Sequence, residues 1–294
     1  MEFISKKVKT VALVTNTAKD PEFEHFGSIY DLVRSYGAEI VAPMRYKGQL
    51  PDAYDVVFID EPELYKDADA AIILGGDGTI LKAASGAISY GCPILGVNFG
   101  RVGYMAEVGK SDIDIIGRLF EGRYSISERM TLRVCVEENG CRHVVYENAL
   151  NDAVLHSSRI GRVQGLRIYS GGMFVAEHRG DGLIISTPTG STAYSMSAGG
   201  PVLDPSLECM CITPVCSLSP AARAMVFSAD RELEIENSRD NADGIYLSCD
   251  GFGGVILSKR ARIIISRSDK KAKLISMGNE EFFNVLRKKL TSAM

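Results

Sequence analysis

The run Ala70-Ala-Ile-Ile-Leu74 ends directly on Gly75-Gly76-Asp77-Gly78-Thr79. A short, continuous apolar run of this kind reads as a strand buried on both faces, the habit of parallel sheets covered by helices. Parallel neighbours need crossover connections, so such a chain must alternate strands with helices. This one does. Residues 9–15 (KTVALVT) read as another buried strand. Phe23, Phe26, Ile29, Tyr30 and Val33 then recur at helical spacing, and Gly37 stops that helix. Residues 39–42, 56–59 and 93–97 are further short strands, and a helix is expected from about residue 80 to 89. Ser111 with Asp114 makes a capping-box signature ahead of Ile115, Ile116, Leu119 and Phe120, and Gly122 closes that helix.

The periodicity changes near Gly122. Leu132-Arg-Val-Cys-Val136 alternates with period two, and Asn139-Gly140 offers a tight hairpin turn into residues 144–146. Leu166-Arg-Ile168, Gly171-Gly172 and residues 173–176 repeat the pattern, and 233–235, 245–248, 255–257 and 262–265 add short strands. Residues 279–290 read as a helix, with Asn279 as cap, Glu280 and Glu281 in the first turn and Arg287-Lys-Lys289 in the last. The 294 residues are about twice a typical domain. The expected architecture is therefore an α/β domain with a parallel sheet over 1–122, an antiparallel, sandwich-like all-β domain over 123–276, and a C-terminal segment, 277–294, whose helix returns to the first domain.

Composition narrows the function. Lys and Arg total 33 against 37 Asp and Glu, a net charge of −4, which argues against coating nucleic acid or an anionic membrane. No apolar stretch is long enough to span a bilayer, and the first residues lack the pattern of a secretory signal. Seven cysteines without a CxxC pair, and histidines without paired spacing, point away from disulfides and zinc and toward a reducing cytoplasm.

The glycine-rich turns carry the chemistry. In 75–79, glycines let the backbone approach an anion, and a helix N-terminus follows. Asp77 at the centre repels a phosphate, but it has a use if it takes a proton from an attacking hydroxyl or faces a phosphate-bound Mg²⁺. An ordinary capped turn is the competing reading. Gly96-Val-Asn98-Phe99-Gly100-Arg101-Val102-Gly103 follows the next strand without being a GxGxxG fingerprint. Gly103 and Gly109-Lys110-Ser111 miss the P-loop spacing by one residue. Asn151-Asp152 offers an amide for a base edge and a carboxylate for ribose hydroxyls, or is simply a polar turn. Finally, Arg179-Gly-Asp181-Gly-Leu-Ile-Ile-Ser-Thr-Pro-Thr189-Gly-Ser-Thr192-Ala193-Tyr194-Ser-Met-Ser197 concentrates small hydroxyl residues and glycines around a short strand, as a ligand cleft does.

Taken in order, GGDGT, NFGxxGY, LND and DGLIISTPTGSTAYS resemble a bacterial-type NAD kinase over nearly the whole chain. The resemblance implies an α/β domain plus a β-sandwich, and transfer of the γ-phosphate of ATP (polyphosphate in some members) to the 2′-hydroxyl of the NAD adenosine ribose, giving NADP. It implies Mg²⁺ or another divalent cation with ATP, and a homodimer or tetramer. By this resemblance Asp77 is the general base, and Gly75, Gly76, Gly78 and Thr79 hold the donor. Phe99 and Gly100 line the NAD cleft, and Asn151 and Asp152 hold adenine and ribose. Thr192, Ala193, Tyr194 and Ser197 shape the adenosine pocket, and Thr189 is a further NAD-binding residue. Asp181 faces the nicotinamide end, from a neighbouring subunit in relatives, and Arg179, which precedes it as an Arg often does in the family, is also NAD-binding. Two departures stand out: Asp152 where relatives often carry Glu, and Leu218 where they often carry His. A lipid or other small-molecule kinase sharing GGDGT, and a non-catalytic NAD(P) sensor, are the alternatives.

Overall fold

The computed structural model describes residues 7–100, 103–159, 161–238, 244–278 and 282–292. The chain forms two units: the residues up to Glu128 together with those from Ala272 onward, and Arg129–Lys271.

In the first unit the strands lie in the order Val57–Ile59, Glu39–Pro43, Thr10–Thr15, Ala70–Leu74, Ile94–Asn98, Ala272–Ser276 and Ser125–Arg129, with Val108–Gly109 also pairing with Ile94–Asn98. The pairings from Val57–Ile59 across to Ala272–Ser276 are parallel. Ala70–Leu74 and Ile94–Asn98 are buried at every position, as their unbroken apolar character requires. Helix Glu24–Ser35 buries Phe26, Ile29, Tyr30 and Val33 along one face. Helix Asp77–Tyr90 buries a stripe of mostly small residues, Ile80, Leu81, Ala83, Ala84, Ala87 and Ile88.

Several local expectations need correction. The second helix starts at Asp77 rather than near residue 80, because Gly76 takes the extended N-cap conformation. The capping box at Ser111 does not form. Gly109 is the cap, residues Lys110–Ile116 are a 3₁₀ segment broken at Asp112, and the Ser111 hydroxyl donates to Asp112. Only Gly117–Phe120 is α-helical there. Strand Ser125–Arg129 joins the first sheet, so that unit runs past residue 122; its polar sequence offers no apolar face to read. The return to the first unit begins with strand Ala272–Ser276 rather than at 277. The C-terminal helix spans Phe282–Ser292, and Asn279, Glu280 and Glu281 lie outside the described residues, as do Arg101 and Val102.

The second unit has two six-stranded sheets among the described residues, and neighbouring strands in both are antiparallel. Leu132, Val134, Val136, Ile263 and Ile265 from one sheet share a core with Leu155, Leu183, Ile185 and Ile212 from the other. All are fully buried, and each stabilises the sandwich by roughly 1.5–3 kcal/mol relative to exposure. Period-two alternation is what lets each strand supply one face to this core. Asn139 and Gly140 both have positive φ (54° and 77°), which makes the two-residue turn that pairs Glu138 with Cys141.

Candidate active site

In the first unit, strands Thr10–Thr15, Ala70–Leu74 and Ile94–Asn98 end side by side. Asn16, the 75–79 turn, and Phe99 with Gly100 continue from those ends. The backbone N–H of Asn16 donates to the Leu74 carbonyl at 3.1 Å, and its side-chain amide donates to Thr79 Oγ1 at 3.1 Å. The edge beyond parallel strands is where open α/β sheets bind ligands. Here it holds a cleft of ≈ 450 Å³ lined by Asn16, His25, Gly75, Gly76, Asp77, Phe99, Gly100 and Lys289, among others. A second cleft of ≈ 330 Å³ shares Thr15, Asn16, Lys19 and Gly76 with the first, and in it Gly76, Gly78 and Thr79 meet Lys19, Arg45 and Lys82. Three cations beside three backbone-rich positions suit a polyanion. Arg45 is also paired with Glu61.

Asp77 sits in the first turn of its helix, with its carboxylate held by the chain that follows Ile94–Asn98. Oδ2 accepts the N–H of Tyr104 at 2.9 Å and Oδ1 that of Met105 at 3.1 Å. The approach is close enough that a Cβ on Gly103 would overlap the carboxylate, so only glycine fits there. The Lys289 ammonium lies 3.9 Å from Asp77 Oδ2. Phe99 is half-buried, and one face of its ring is covered by His25, stacked in parallel at 3.8 Å. Asn98 Oδ1 accepts the Gly100 N–H at 2.9 Å and fixes that turn.

The second unit brings Asn151 and Asp152 together with the 187–194 segment. Thr187 Oγ1 donates to the Leu150 carbonyl at 2.6 Å and accepts the Gly190 N–H at 3.0 Å. The Thr187 N–H donates to the Asn151 carbonyl. Gly190 is so close that a Cβ there would overlap the Asn151 carbonyl oxygen. Beneath the turn, the half-buried Asp250 carboxylate accepts the N–H groups of Leu150, Asn151 and Asp152 at 2.8, 2.7 and 3.2 Å. Burial, and then the neighbouring Asp250, push the Asp152 carboxyl up to about 7. Asp250 is also raised by burial, but its three N–H donors favour its ionised form, so Asp152 is the one that takes the proton.

Many of the hydroxyls in this segment are used inside the fold. Ser191 donates to the Pro188 carbonyl, Thr192 to the Thr189 carbonyl, and Ser195 pairs with Thr213. Thr189 is half-buried, as is Ala193, while Tyr194 and Ser197 are exposed. Asp152 lies opposite Ser186 and His156 opposite Gly182, so the two ends of this strand pair are four residues, or about 13 Å, apart. At the far end, His156 Nδ1 lies 3.3 Å from the Asp181 carbonyl, and its ring is 6.2 Å from that of Tyr194. Arg179 and Asp181 are exposed there, and the Leu218 N–H donates to the Arg179 carbonyl. Leu218 is 63% exposed.

Sequence reasoning missed Asn16, His25 and Lys289 as site residues, and gave Asp250 no role. Asn16 had a readable signal, a polar residue directly after a buried strand. His25 and Lys289 reach the cleft only through tertiary folding.

The fit of a divalent cation can be tested on the donor set. No cluster of three or more His, Cys, Asp or Glu able to hold a metal exists among the described residues. Asp77 is the carboxylate nearest the glycine turn. One carboxylate plus phosphate oxygens and water is a normal Mg²⁺ environment, so the residues fit a cation that arrives on the triphosphate.

A family model described as the ATP-NAD kinase N-terminal domain matches residues 42–124, and one described as the ATP-NAD kinase C-terminal domain matches 150–277. A protein named NAD kinase from Caldanaerobacter subterraneus subsp. tengcongensis is 34% identical over 288 residues, covering 97% of this chain and 99% of that one. The chain belongs to the NAD kinase family. As a family member it is a phosphotransferase that uses ATP to phosphorylate NAD. Two solved NAD kinase-type structures share its fold. The yeast NADH kinase complexed with NADH superposes with a TM-score of 0.86 at 20% identity, covering 97% of this chain and 88% of that one. An NAD kinase from Archaeoglobus fulgidus in complex with ATP gives 0.74 at 24% identity, covering 96% and 99%. No helix among the described residues is long and apolar enough to cross a membrane.

Proposed function

We propose that the protein transfers the γ-phosphate of ATP to the 2′-hydroxyl of the adenosine ribose of NAD, giving NADP and ADP. The observation that carries this reading is the carboxylate of Asp77, fixed by two backbone N–H groups beside a glycine turn at the carboxyl edge of a parallel sheet. In the transfer, the ribose oxygen bonds to the γ-phosphorus as the bond to the β-phosphate bridging oxygen breaks. The hydroxyl proton passes to Asp77 as the new bond forms. Gly75, Gly76, Gly78 and Thr79 hold the donor phosphates, with Lys19, Arg45 and Lys82 supplying positive charge from the second cleft. Mg²⁺ arriving on the donor phosphates would be held there with the help of Asp77 and would offset their charge.

Asn151 and Asp152 take adenine and ribose, with Thr189, Thr192, Ala193, Tyr194 and Ser197 around the nucleoside, and Phe99 and Gly100 line the NAD cleft. Arg179 and Asp181 serve the nicotinamide end, about 13 Å along the strand pair from Asp152. Asp181 acts on the site of a neighbouring subunit in a homo-oligomer. Leu218, whose N–H donates to the Arg179 carbonyl, puts an exposed aliphatic side chain at a position where relatives often carry His.

The test is to incubate the purified protein with NAD, ATP and Mg²⁺, then assay product with a dehydrogenase specific for the 2′-phosphate. Steady formation of NADP is expected; product that the dehydrogenase rejects would mean another hydroxyl is phosphorylated. Parallel reactions with polyphosphate and with NADH read donor and acceptor choice.

A further inference from the structure

An acidic side chain in the middle of an anion-binding turn is an electrostatic problem, because Asp77 repels the triphosphate that the turn is built to hold. The C-terminal helix carries the countercharge. Phe282, Val285 and Lys289 share one face of that helix by their spacing. Val285 is buried, and the Phe282 ring lies 6.3 Å from that of Tyr104. Lys289 places its ammonium over the Tyr104 ring, 4.2 Å from the centroid, and 3.9 Å from Asp77 Oδ2. The Tyr104 N–H is itself a donor to that same oxygen. One residue therefore holds both the carboxylate and the cation, and Lys289 lines the cleft together with Gly75 and Gly76.

We propose that Lys289 is a further residue of the phosphoryl-transfer site: its ammonium bridges Asp77 and the terminal phosphate of the donor. This rests on the phosphotransfer reading above. The ammonium forms no covalent bond and gives up no proton. It offsets the charge of Asp77 while ATP binds and that of the γ-phosphoryl oxygens while the group moves. The side chain has to be long and cationic, so Arg can replace it and Met cannot.

The experiment is a double-mutant cycle on MgATP binding, measured by calorimetry without NAD, beside steady-state kinetics. Lys289→Met is expected to weaken MgATP binding about tenfold or more and to lower kcat, with NAD binding and thermal midpoint unchanged. Lys289→Arg is expected to retain most of both. Asp77→Asn placed in the Lys289→Met background removes the unmasked repulsion, so binding of ATP measured without Mg²⁺, where Asp77 has no cation to hold, should return to within about threefold of wild type although turnover stays lost. Wild-type MgATP binding and kcat in Lys289→Met would overturn the proposal. So would weakened binding that Asp77→Asn fails to restore, which would make the contact merely structural. A wild-type protein that makes no NADP overturns the kinase reading and this proposal together; NADP formation without Asp77–Lys289 coupling overturns this proposal alone.

Discussion

Asp77 in the first unit and Asp152 in the second are carboxylates held in opposite ways. Asp77 is held by two N–H donors and a cation nearby. Its amide analogue keeps the shape but cannot take a proton, so Asp77→Asn should lower kcat by about 10²–10⁴-fold with NAD affinity largely spared. Matched steady-state kinetics and NAD titration check this. Asp152 is buried beside Asp250 and titrates near 7 in the folded protein, against an ordinary value of 3.8. The folded state therefore keeps a proton that the unfolded state releases. This contribution to stability is full below about pH 4 and is lost as pH rises to about 7. Asp152→Asn should remove that part of the pH dependence and be more stable than wild type at pH 8, by roughly 4 kcal/mol at most. Denaturant midpoints at pH 5 and pH 8 measure it; identical pH dependence in the two proteins would place the proton elsewhere.

At the scale of elements, the turns are set by close backbone approach. Gly190 packs against the Asn151 carbonyl, and Thr187 ties the same two segments together. Gly190→Ala should force them apart, cost about 1–3 kcal/mol of stability and weaken NAD binding; equilibrium unfolding and an NAD titration read both effects. Unbroken apolar strands and period-two strands were legible in the sequence because each exposes its burial pattern directly. Leu132, Val134 and Val136 need no partner to be recognised. Ser125–Arg129 was not legible, because its pairing, not its composition, makes it a strand. The Ser111–Asp114 signature misled because local caps compete: Gly109 begins the turn and Ser111 bonds its neighbour Asp112. The glycine turns and the Asn151-Asp152 step stood out as chemistry, whereas the side chains that support them did not. Lys289 lies at the far end of the chain from Asp77, and Asp250 acts through backbone amides of residues 150–152, so neither has a local signature.

At the scale of the molecule, the chain leaves its α/β unit, builds a complete β-sandwich, and returns through strand Ala272–Ser276 to finish the first sheet. The return brings the helix that bears Lys289. Deleting residues from Phe282 onward should therefore abolish turnover beyond any loss of stability, which matched unfolding and rate measurements would separate. If Asp181 serves a neighbouring subunit, an inactive Asp77→Asn chain and an inactive Asp181→Ala chain should complement each other. Random pairing in a dimer restores about a quarter of the sites, and two-fold symmetry makes that number specific. The most direct test of the whole account is NADP formation from NAD and MgATP by the wild-type chain and by Asp77→Asn, with NAD binding titrated in both. The account predicts steady NADP production by the wild type and its near-complete loss in the variant at comparable NAD affinity. Equal turnover in the two proteins would remove Asp77 from the chemistry and contradict the mechanism.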